Sequence, residues 1–146
     1  MDSRMSYYIL KRLMAADYDR NGPLPTRNEK AAHERVAGIL EQAGITFERE
    51  VDIGAADPTE RHRKADFVLF DSGYAFVIEV KRRCTNAGLR QVIAYARARE
   101  VLHDDRWHPI REATLLAMTP CQGFDPFEVG GVTVRSLTPL DLLEIK

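Results

Sequence analysis

The stretch KADFVLFDSGYAFVIEVK, residues 64–81, consists of two apolar runs joined by a tight polar turn. Apolar runs on either side of a short Ser-Gly loop are typical of a β-hairpin. If Ser72 and Gly73 alone form the loop, counting outward along the two strands places Asp66 opposite Glu79. The hairpin therefore predicts two carboxylates side by side.

Two opposed carboxylates need a cation between them. Directly opposed residues have Cβ atoms roughly 4.5 to 5.5 Å apart, and like charges placed so destabilise a sheet. The second strand is almost wholly apolar over residues 75–80, as a central strand is, so we expect Glu79 to be at least partly buried. A buried carboxylate needs a charged partner or a metal ion. Because side chains alternate along a strand, Lys81 lies on the same face as Glu79.

Asp66, Glu79 and Lys81 are therefore predicted to converge on one patch. Carboxylate oxygens suit Mg²⁺, which takes few protein carboxylates and keeps water molecules for chemistry. Lys81 can stabilise the negative charge that develops on a phosphate beside the metal. The alternative is a surface hairpin in which Lys81 forms a salt bridge with one carboxylate, and a three-residue loop would break the pairing of Asp66 with Glu79.

An Asp at a strand start, a spacer and then Glu-X-Lys is the pattern of the PD-(D/E)XK nuclease superfamily, which this sequence resembles. Asp66 matches the Asp, and Ala65 stands where a Pro is often found. The Glu-X-Lys is Glu79-Val80-Lys81. The resemblance implies that Asp66, Glu79 and the Val80 carbonyl hold Mg²⁺ or Mn²⁺. It also implies that Lys81 orients the attacking water or stabilises the charge of the transition state.

A helix is predicted before the hairpin. Thr26 and Glu29 have the spacing of a capping box, which makes Thr26 the N-cap. Gly44 is a natural C-terminal stop. The apolar stripe that should face the sheet consists of Ala32, Val36, Ile39, Leu40 and Ala43. His33 lies at the edge of this stripe, whereas Glu34 points away from it.

The RecB-like branch of the superfamily takes a metal-site His from its first core helix, and Ala32-His33-Glu34-Arg35 resembles that helix motif. The resemblance makes His33 a candidate third ligand through an imidazole nitrogen. A His that only covers the edge of the core stripe is an equal alternative. Glu34 is the candidate ligand if the helix is rotated, and Glu29 is interpreted as a cap.

A further helix is predicted over residues 89–103, after a polar break. Gln91 and Tyr95 stand together on one side of it, at i and i+4. Their order and spacing match the QxxxY motif that follows Glu-X-Lys in RecB-like nucleases and, similarly, in the N-terminal nuclease domains of type I restriction subunits. The resemblance implies that Gln91 contacts Lys81 or a phosphate, and that Tyr95 supports it or contacts the nucleic acid.

The remaining predicted elements surround this centre. They are an amphipathic helix over 5–17 ended by a break at 21–25, strands over 45–53, 113–118 and 132–135, and a last helix capped by Thr138 with Pro139 in its first turn. The strand over 113–118 should lie parallel beside the hairpin. The loop over 54–63 is long enough to hang over the site, as a DNA clamp or as a mobile surface loop. Trp107 and Phe124 are predicted in loops, where packing is a simpler role than stacking on bases.

Composition fits one domain over residues 1–146, with residues 1–20 as an accessory N-terminal helix, because 45% of the 146 residues are hydrophobic. No apolar run approaches about 18 residues and no signal-peptide pattern is present, so we expect a cytoplasmic protein without a membrane partner. Cys84 and Cys121 are too few for a zinc cluster.

The charge is unevenly distributed along the chain. Residues 61–99 carry nine Lys and Arg against three acids, although the whole chain has a net charge of -1. This charge suits phosphate contacts or a set of solvated faces.

The sequence thus predicts an α/β fold with a restriction-endonuclease-like core, a mixed sheet of four or five strands flanked by helices on both faces. The resemblance covers roughly residues 27–134 and implies Mg²⁺- or Mn²⁺-dependent hydrolysis of phosphodiester bonds. DNA is the favoured nucleic-acid partner, and a 5′-phosphate is the implied product. One alternative is a module on the same fold that binds nucleic acid or a partner without cutting. Another is a homodimeric junction resolvase, and a larger nuclease or helicase assembly is a further candidate partner.

Overall fold

The computed structural model describes residues 7–25, 28–53 and 63–143, with only the backbone of residue 63 included. Four helices and seven strands lie in these ranges. In chain order they are α1 (Tyr7–Asn21), α2 (Glu29–Gln42), β1 (Phe47–Ile53), β2 (Arg63–Asp71), β3 (Tyr74–Lys81), α3 (Asn86–Ala98), β4 (Glu100–His103), β5 (Arg106–Ala117), β6 (Phe127–Val129), β7 (Val132–Leu137) and α4 (Pro139–Leu142).

The strands form one mixed sheet in the order β1-β2-β3-β5-β7-β6, and β4 pairs with β5 beside this path. β3 runs parallel to β5 and β5 runs parallel to β7, whereas the other pairs are antiparallel. The predicted α/β class, the mixed sheet and the parallel strand beside the hairpin are therefore confirmed. The predicted four or five strands are too few, because the prediction lacks the short strands β4 and β6.

The β2–β3 hairpin has the predicted two-residue loop. Ser72 and Gly73 have φ values of +54° and +82°, and positive φ at both positions is what a type I′ turn requires. The ladder follows the predicted register and ends with Phe67 opposite Ile78, one residue before Asp66. The turn chemistry therefore sets which residues of the two strands meet.

Helices cover both faces of the sheet. One core cluster joins α1, α2 and α4 to the first face, and its most buried large members include Leu40, Phe67, Leu69, Ile78 and Leu137. The other cluster joins α3 to the second face and includes Val77, Val92, Tyr95, Ala96 and Leu115. Successive residues of β3 thus pack in opposite clusters, because side chains point to alternate faces along a strand.

The start of α2 differs from the prediction. Asn28 is the N-cap, because its side chain accepts a hydrogen bond from the Ala31 N–H at 3.1 Å. Thr26, predicted as the N-cap, lies outside the described residues. The stop at Gly44 is confirmed, since its φ of +71° lies in the left-handed region that ends helices. Ala43 is exposed at the C-cap instead of belonging to the buried stripe.

Both ends of α3 also differ from the prediction. The helix starts earlier, at Asn86, and ends at Ala98 instead of continuing through the next five residues. Arg99 adopts a left-handed φ of +67°, which stops the helix. The residues that follow form β4 and pair with β5. Trp107 belongs to β5 and not to a loop, whereas Phe124 lies in a loop and packs against the α3 cluster.

The outer elements complete the layers. α1 extends to Asn21, and α4 begins at Pro139 after the predicted N-cap Thr138. Residues 54–62, which contain most of the predicted clamp loop, lie outside the described residues. Within the described ranges, no helix is long and apolar enough to cross a membrane.

Replacing Asn28 by Ala should lower the free energy of unfolding by about 1 kcal/mol, because the Ala31 N–H loses its capping partner. Urea denaturation of the metal-free protein measures this change. The matched control is Asn86→Ala, an exposed position in the first turn of α3, where we expect a change of less than about 0.5 kcal/mol. Equal stabilities of Asn28→Ala and the parent protein would contradict the assignment of the cap.

Candidate active site

The structure brings together four residues that the sequence singles out: His33 of α2, Asp66 of β2, and Glu79 and Lys81 of β3. The Lys81 Nζ lies 3.3 Å from the Glu79 Oε2. The His33 Nε2 lies 3.6 Å from the Asp66 Oδ2. The two pairs are close enough for the charge of Asp66 to raise the pKa of Glu79. A hairpin and one helix therefore assemble a cluster of two carboxylates, an ammonium group and an imidazole.

Asp66 reaches this cluster because the strands on both sides of it depart from regular pairing. Its carboxylate accepts a hydrogen bond from the Val80 N–H at 2.7 Å, just beyond the end of the β2–β3 ladder. On the other side, Glu50 of β1 has a φ of +52°. Ala65 packs in the α3 cluster whereas Phe67 packs in the α2 cluster, although regular alternation would give both the same face. Asp66 thus lies at the boundary between the two faces of the sheet.

Glu79 is a buried carboxylate, with only 3% of its surface exposed. Burial, and after it the charge of Asp66, raise the pKa of Glu79 to about 7. The neighbouring Lys81 and a hydrogen bond from Tyr95 act in the opposite direction. Burial also raises the pKa of Asp66, against the effects of the Val80 N–H and of His33. The positive charge within the protein therefore compensates the two carboxylates only in part.

Gln91 and Tyr95 connect α3 to this carboxylate. The Gln91 Nε2 donates to the Tyr95 hydroxyl at 2.8 Å. The same hydroxyl lies 3.0 Å from the Glu79 Oε1 and 3.0 Å from the Lys64 carbonyl oxygen, and it can donate its one hydrogen to either. Burial raises the pKa of Tyr95, so the hydroxyl keeps its proton. The two residues hold Glu79 in position, while a contact of Gln91 with Lys81 or a phosphate stays a prediction.

The orientation of α2 places His33, and not Glu34, beside Asp66. The His33 ring packs edge-on against Phe67, with ring centroids 6.0 Å apart. Its Nε2 is buried and has no hydrogen-bond partner among the described residues. Glu34 instead pairs with the Arg49 Nη1 at 2.9 Å, and its side chain is 56% exposed. The side chain of His33 therefore lies at the site, on the side of α2 that the sequence predicts.

The donor types in the cluster fit a divalent cation. In the described part of the chain, no three His, Cys, Asp or Glu side chains are already arranged to hold a metal ion. The carboxylates are engaged within the protein instead, Glu79 with Lys81 and Tyr95, and Asp66 with the Val80 N–H. The partnerless His33 nitrogen and the incompletely compensated carboxylates are nevertheless groups that a cation satisfies. Two carboxylates suit Mg²⁺ and Mn²⁺, and an imidazole favours Mn²⁺ of these two.

Several basic side chains that are near the cluster in the sequence are exposed. The exposed ones on β2, on α3 and in the segments next to β3 and α3 are Lys64, Arg82, Arg83, Arg90, Arg97 and Arg99.

The two cysteines lie close together after this basic segment. The Cys84 backbone N–H donates to the Cys121 Sγ at 3.5 Å. Both cysteines are half-buried and free, and burial raises the pKa of Cys84 to about 12.

One neighbour of the cluster has no site role in the sequence prediction. The Glu29 Oε1 lies 3.7 Å from the His33 Nε2, and the charge of Glu29 raises the pKa of Asp66. The sequence predicts that Glu29 forms a capping box with Thr26 as the N-cap. In the structure Asn28 is the N-cap instead. The spacing of Glu29 and His33 by four residues is the sequence signal that places them on one side of the helix.

Compared with known proteins, the sequence matches no protein-family model and no curated protein sequence.

Glu79→Gln should make the metal-free protein more stable than the parent at neutral and alkaline pH. A carboxyl whose pKa is raised in the folded state loses folding stability as the pH rises from about 4.5, its unfolded value, to about 7, its folded value. Urea unfolding should show similar stabilities at pH 5 and a difference of about 3 kcal/mol in favour of Glu79→Gln at pH 8. The control is Glu34→Gln, at an exposed acid of α2, which should keep the same difference from the parent at both pH values. Parallel pH profiles of Glu79→Gln and the parent would contradict a raised pKa at Glu79.

Proposed function

We propose that this chain is a metal-dependent nuclease with a restriction-endonuclease-like core that hydrolyses phosphodiester bonds of DNA. The observation that carries this proposal is the convergence of Asp66, Glu79 and Lys81. A buried carboxylate beside a second, partly buried carboxylate and a lysine is costly for folding, so a structural role alone is a poor reason for this arrangement. The same three residues are the ones that the resemblance to PD-(D/E)XK nucleases assigns to catalysis.

Each of these residues has a role that follows from its position. Asp66, Glu79 and the carbonyl of Val80 would hold Mg²⁺ or Mn²⁺, with His33 as the imidazole donor from α2. The bound ion would lower the pKa of a water molecule and offset negative charge on the phosphate. Lys81 extends from the buried Glu79 to the surface, where its side chain is 35% exposed. Its ammonium group can therefore stabilise the extra negative charge of the phosphate in the transition state.

Tyr95 and Gln91 are positioning residues in this proposal. The Tyr95 hydroxyl bonds to the Glu79 carboxylate, and Gln91 fixes the hydroxyl from the other side. Glu79 therefore presents its second oxygen, Oε2, towards Lys81 at 3.3 Å. A carboxylate held in this way loses little conformational freedom when a ligand binds.

The charge of the surroundings supports nucleic acid as the substrate. The exposed Arg82 and Arg83 directly follow Lys81, and Arg90 lies on the helix that begins after them. Backbone phosphates supply most of the affinity of nucleic-acid binding, and arginine side chains neutralise them well. DNA is the proposed substrate, and branched DNA tests the resolvase alternative.

Incubation with supercoiled plasmid, single-stranded DNA and a four-way junction, with and without Mg²⁺ or Mn²⁺, tests the proposal. We expect metal-dependent cutting that falls by at least about a hundredfold in Lys81→Ala and Asp66→Asn, because each loses charge stabilisation at the phosphate. DNA binding in a gel-shift assay should persist in both variants.

Two matched substitutions control for general effects. Lys11→Ala on α1 and Asp105→Asn in the β4–β5 turn should cut DNA like the parent protein, and circular dichroism checks that all variants fold. A folded parent protein that shifts DNA without cutting it in either metal would overturn the nuclease proposal in favour of a binding module. Cutting that is restricted to the junction would favour a resolvase.

A further inference from the structure

Two free cysteines meet where the chain leaves the parallel strands β3 and β5. These strands pair up to their last residues, and the segments that follow them stay together. The Arg82 carbonyl accepts a hydrogen bond from the Thr119 N–H at 3.0 Å and another from the Thr119 hydroxyl at 2.6 Å. Beyond this contact, the Cys84 N–H donates to the Cys121 Sγ at 3.5 Å. The sheet topology therefore brings together two residues that are far apart in the sequence.

The two thiol groups are also in contact with each other. Burial, and after it the charge of Cys121 and a hydrogen bond between the two side chains, raise the pKa of Cys84 to about 12. Neighbouring strands lie about 4.8 Å apart, and a disulfide spans Cα separations of about 4.4 to 6.8 Å. The spacing of the two segments therefore suits a covalent bond between the sulfurs.

The cysteines are accessible enough to react. Both are half-buried, whereas cysteines that serve only as core residues are fully buried and inert. Cys84 packs at the edge of the α3 core cluster, and the residues on both sides of it, Arg83 and Thr85, are exposed. A small disulfide-containing oxidant can therefore reach the pair without an opening of the core.

We propose that Cys84 and Cys121 are a redox modification site, at which a small-molecule disulfide such as glutathione disulfide converts the two thiols into a reversible internal disulfide. The Cys121 sulfur attacks the oxidant, forms a mixed disulfide and releases one glutathione thiol. The Cys84 sulfur then attacks the Cys121 sulfur and releases the second glutathione. The protein thus loses two electrons and two protons, and both pass to the two glutathione molecules.

The bond would tie the exit of β3 to the exit of β5. The segment that it fixes joins Lys81 to α3, the helix that carries Gln91 and Tyr95. A cross-link between residues 84 and 121 also restricts the unfolded chain, which stabilises the folded state. By the same thermodynamic cycle, folding favours the disulfide over the two thiols. This inference does not depend on the proposed nuclease function.

Equilibration of the full chain with mixtures of glutathione and glutathione disulfide tests the proposal, with products identified by mass spectrometry after acid quenching. We expect the parent protein to lose the mass of two hydrogen atoms, to stay a single chain and to regain both thiols in dithiothreitol. The equilibrium constant for this oxidation should be at least about tenfold larger in the folded protein than in the urea-unfolded chain.

The matched controls are Cys84→Ser and Cys121→Ser, each of which keeps one thiol. Each should gain at most one glutathione, and oxidation should leave its urea midpoint unchanged. In the parent protein, oxidation should raise the urea midpoint by about 1 M.

Three results would overturn the proposed modification site. They are an oxidation constant in the folded protein no larger than in the unfolded chain, glutathione retained on both cysteines, and a disulfide between two chains. DNA cutting is assayed with the reduced protein, so none of these results decides the nuclease proposal.

Discussion

The Glu79 carboxylate lies inside the protein beside a second carboxylate, and the rest of the site is arranged around this placement. Transfer of a carboxylate from water into a protein costs several kcal/mol unless charges and hydrogen bonds compensate it. Lys81 supplies one positive charge and Tyr95 one hydrogen bond. Because the pKa of Glu79 is still raised to about 7, this compensation is incomplete at neutral pH. Near neutral pH the metal-free site is therefore protonated in part, and a divalent cation that binds there would replace this proton.

Backbone geometry explains why the two carboxylates come together in a folded sheet. A regular antiparallel pairing would hold Asp66 in the ladder and direct its side chain by simple alternation. The positive φ of Glu50 in β1 and the end of the β2–β3 ladder free Asp66 to bond the Val80 N–H. Strand irregularities of this kind often redirect a side chain next to an active site.

Local chemistry made much of this arrangement predictable. The Ser72-Gly73 loop allows positive φ at two successive residues, so the hairpin register follows from the turn alone. The helical period likewise places His33, and not Glu34, towards the sheet.

The departure of Asp66 from the ladder was not predictable, because it depends on the backbone of β1. The place of Glu29 at the site was not predictable either, because its spacing from Thr26 also satisfies a capping box, whereas Asn28 caps the helix. The end of α3 at Arg99 carries no glycine signal, and the strand that follows is fixed by pairing with a later segment.

Calorimetric titration with Mn²⁺ in two buffers of different ionisation enthalpy tests the central claim most directly, because it counts the protons released per bound ion. If the cation replaces the proton of the buried carboxylate pair, binding at pH 6 should release close to one proton per ion. The affinity should rise with pH and level off above the Glu79 pKa of about 7. Asp66→Asn should abolish most of this binding. Mn²⁺ binding to the parent protein with the same affinity at pH 6 and pH 8, and without proton release, would contradict the account.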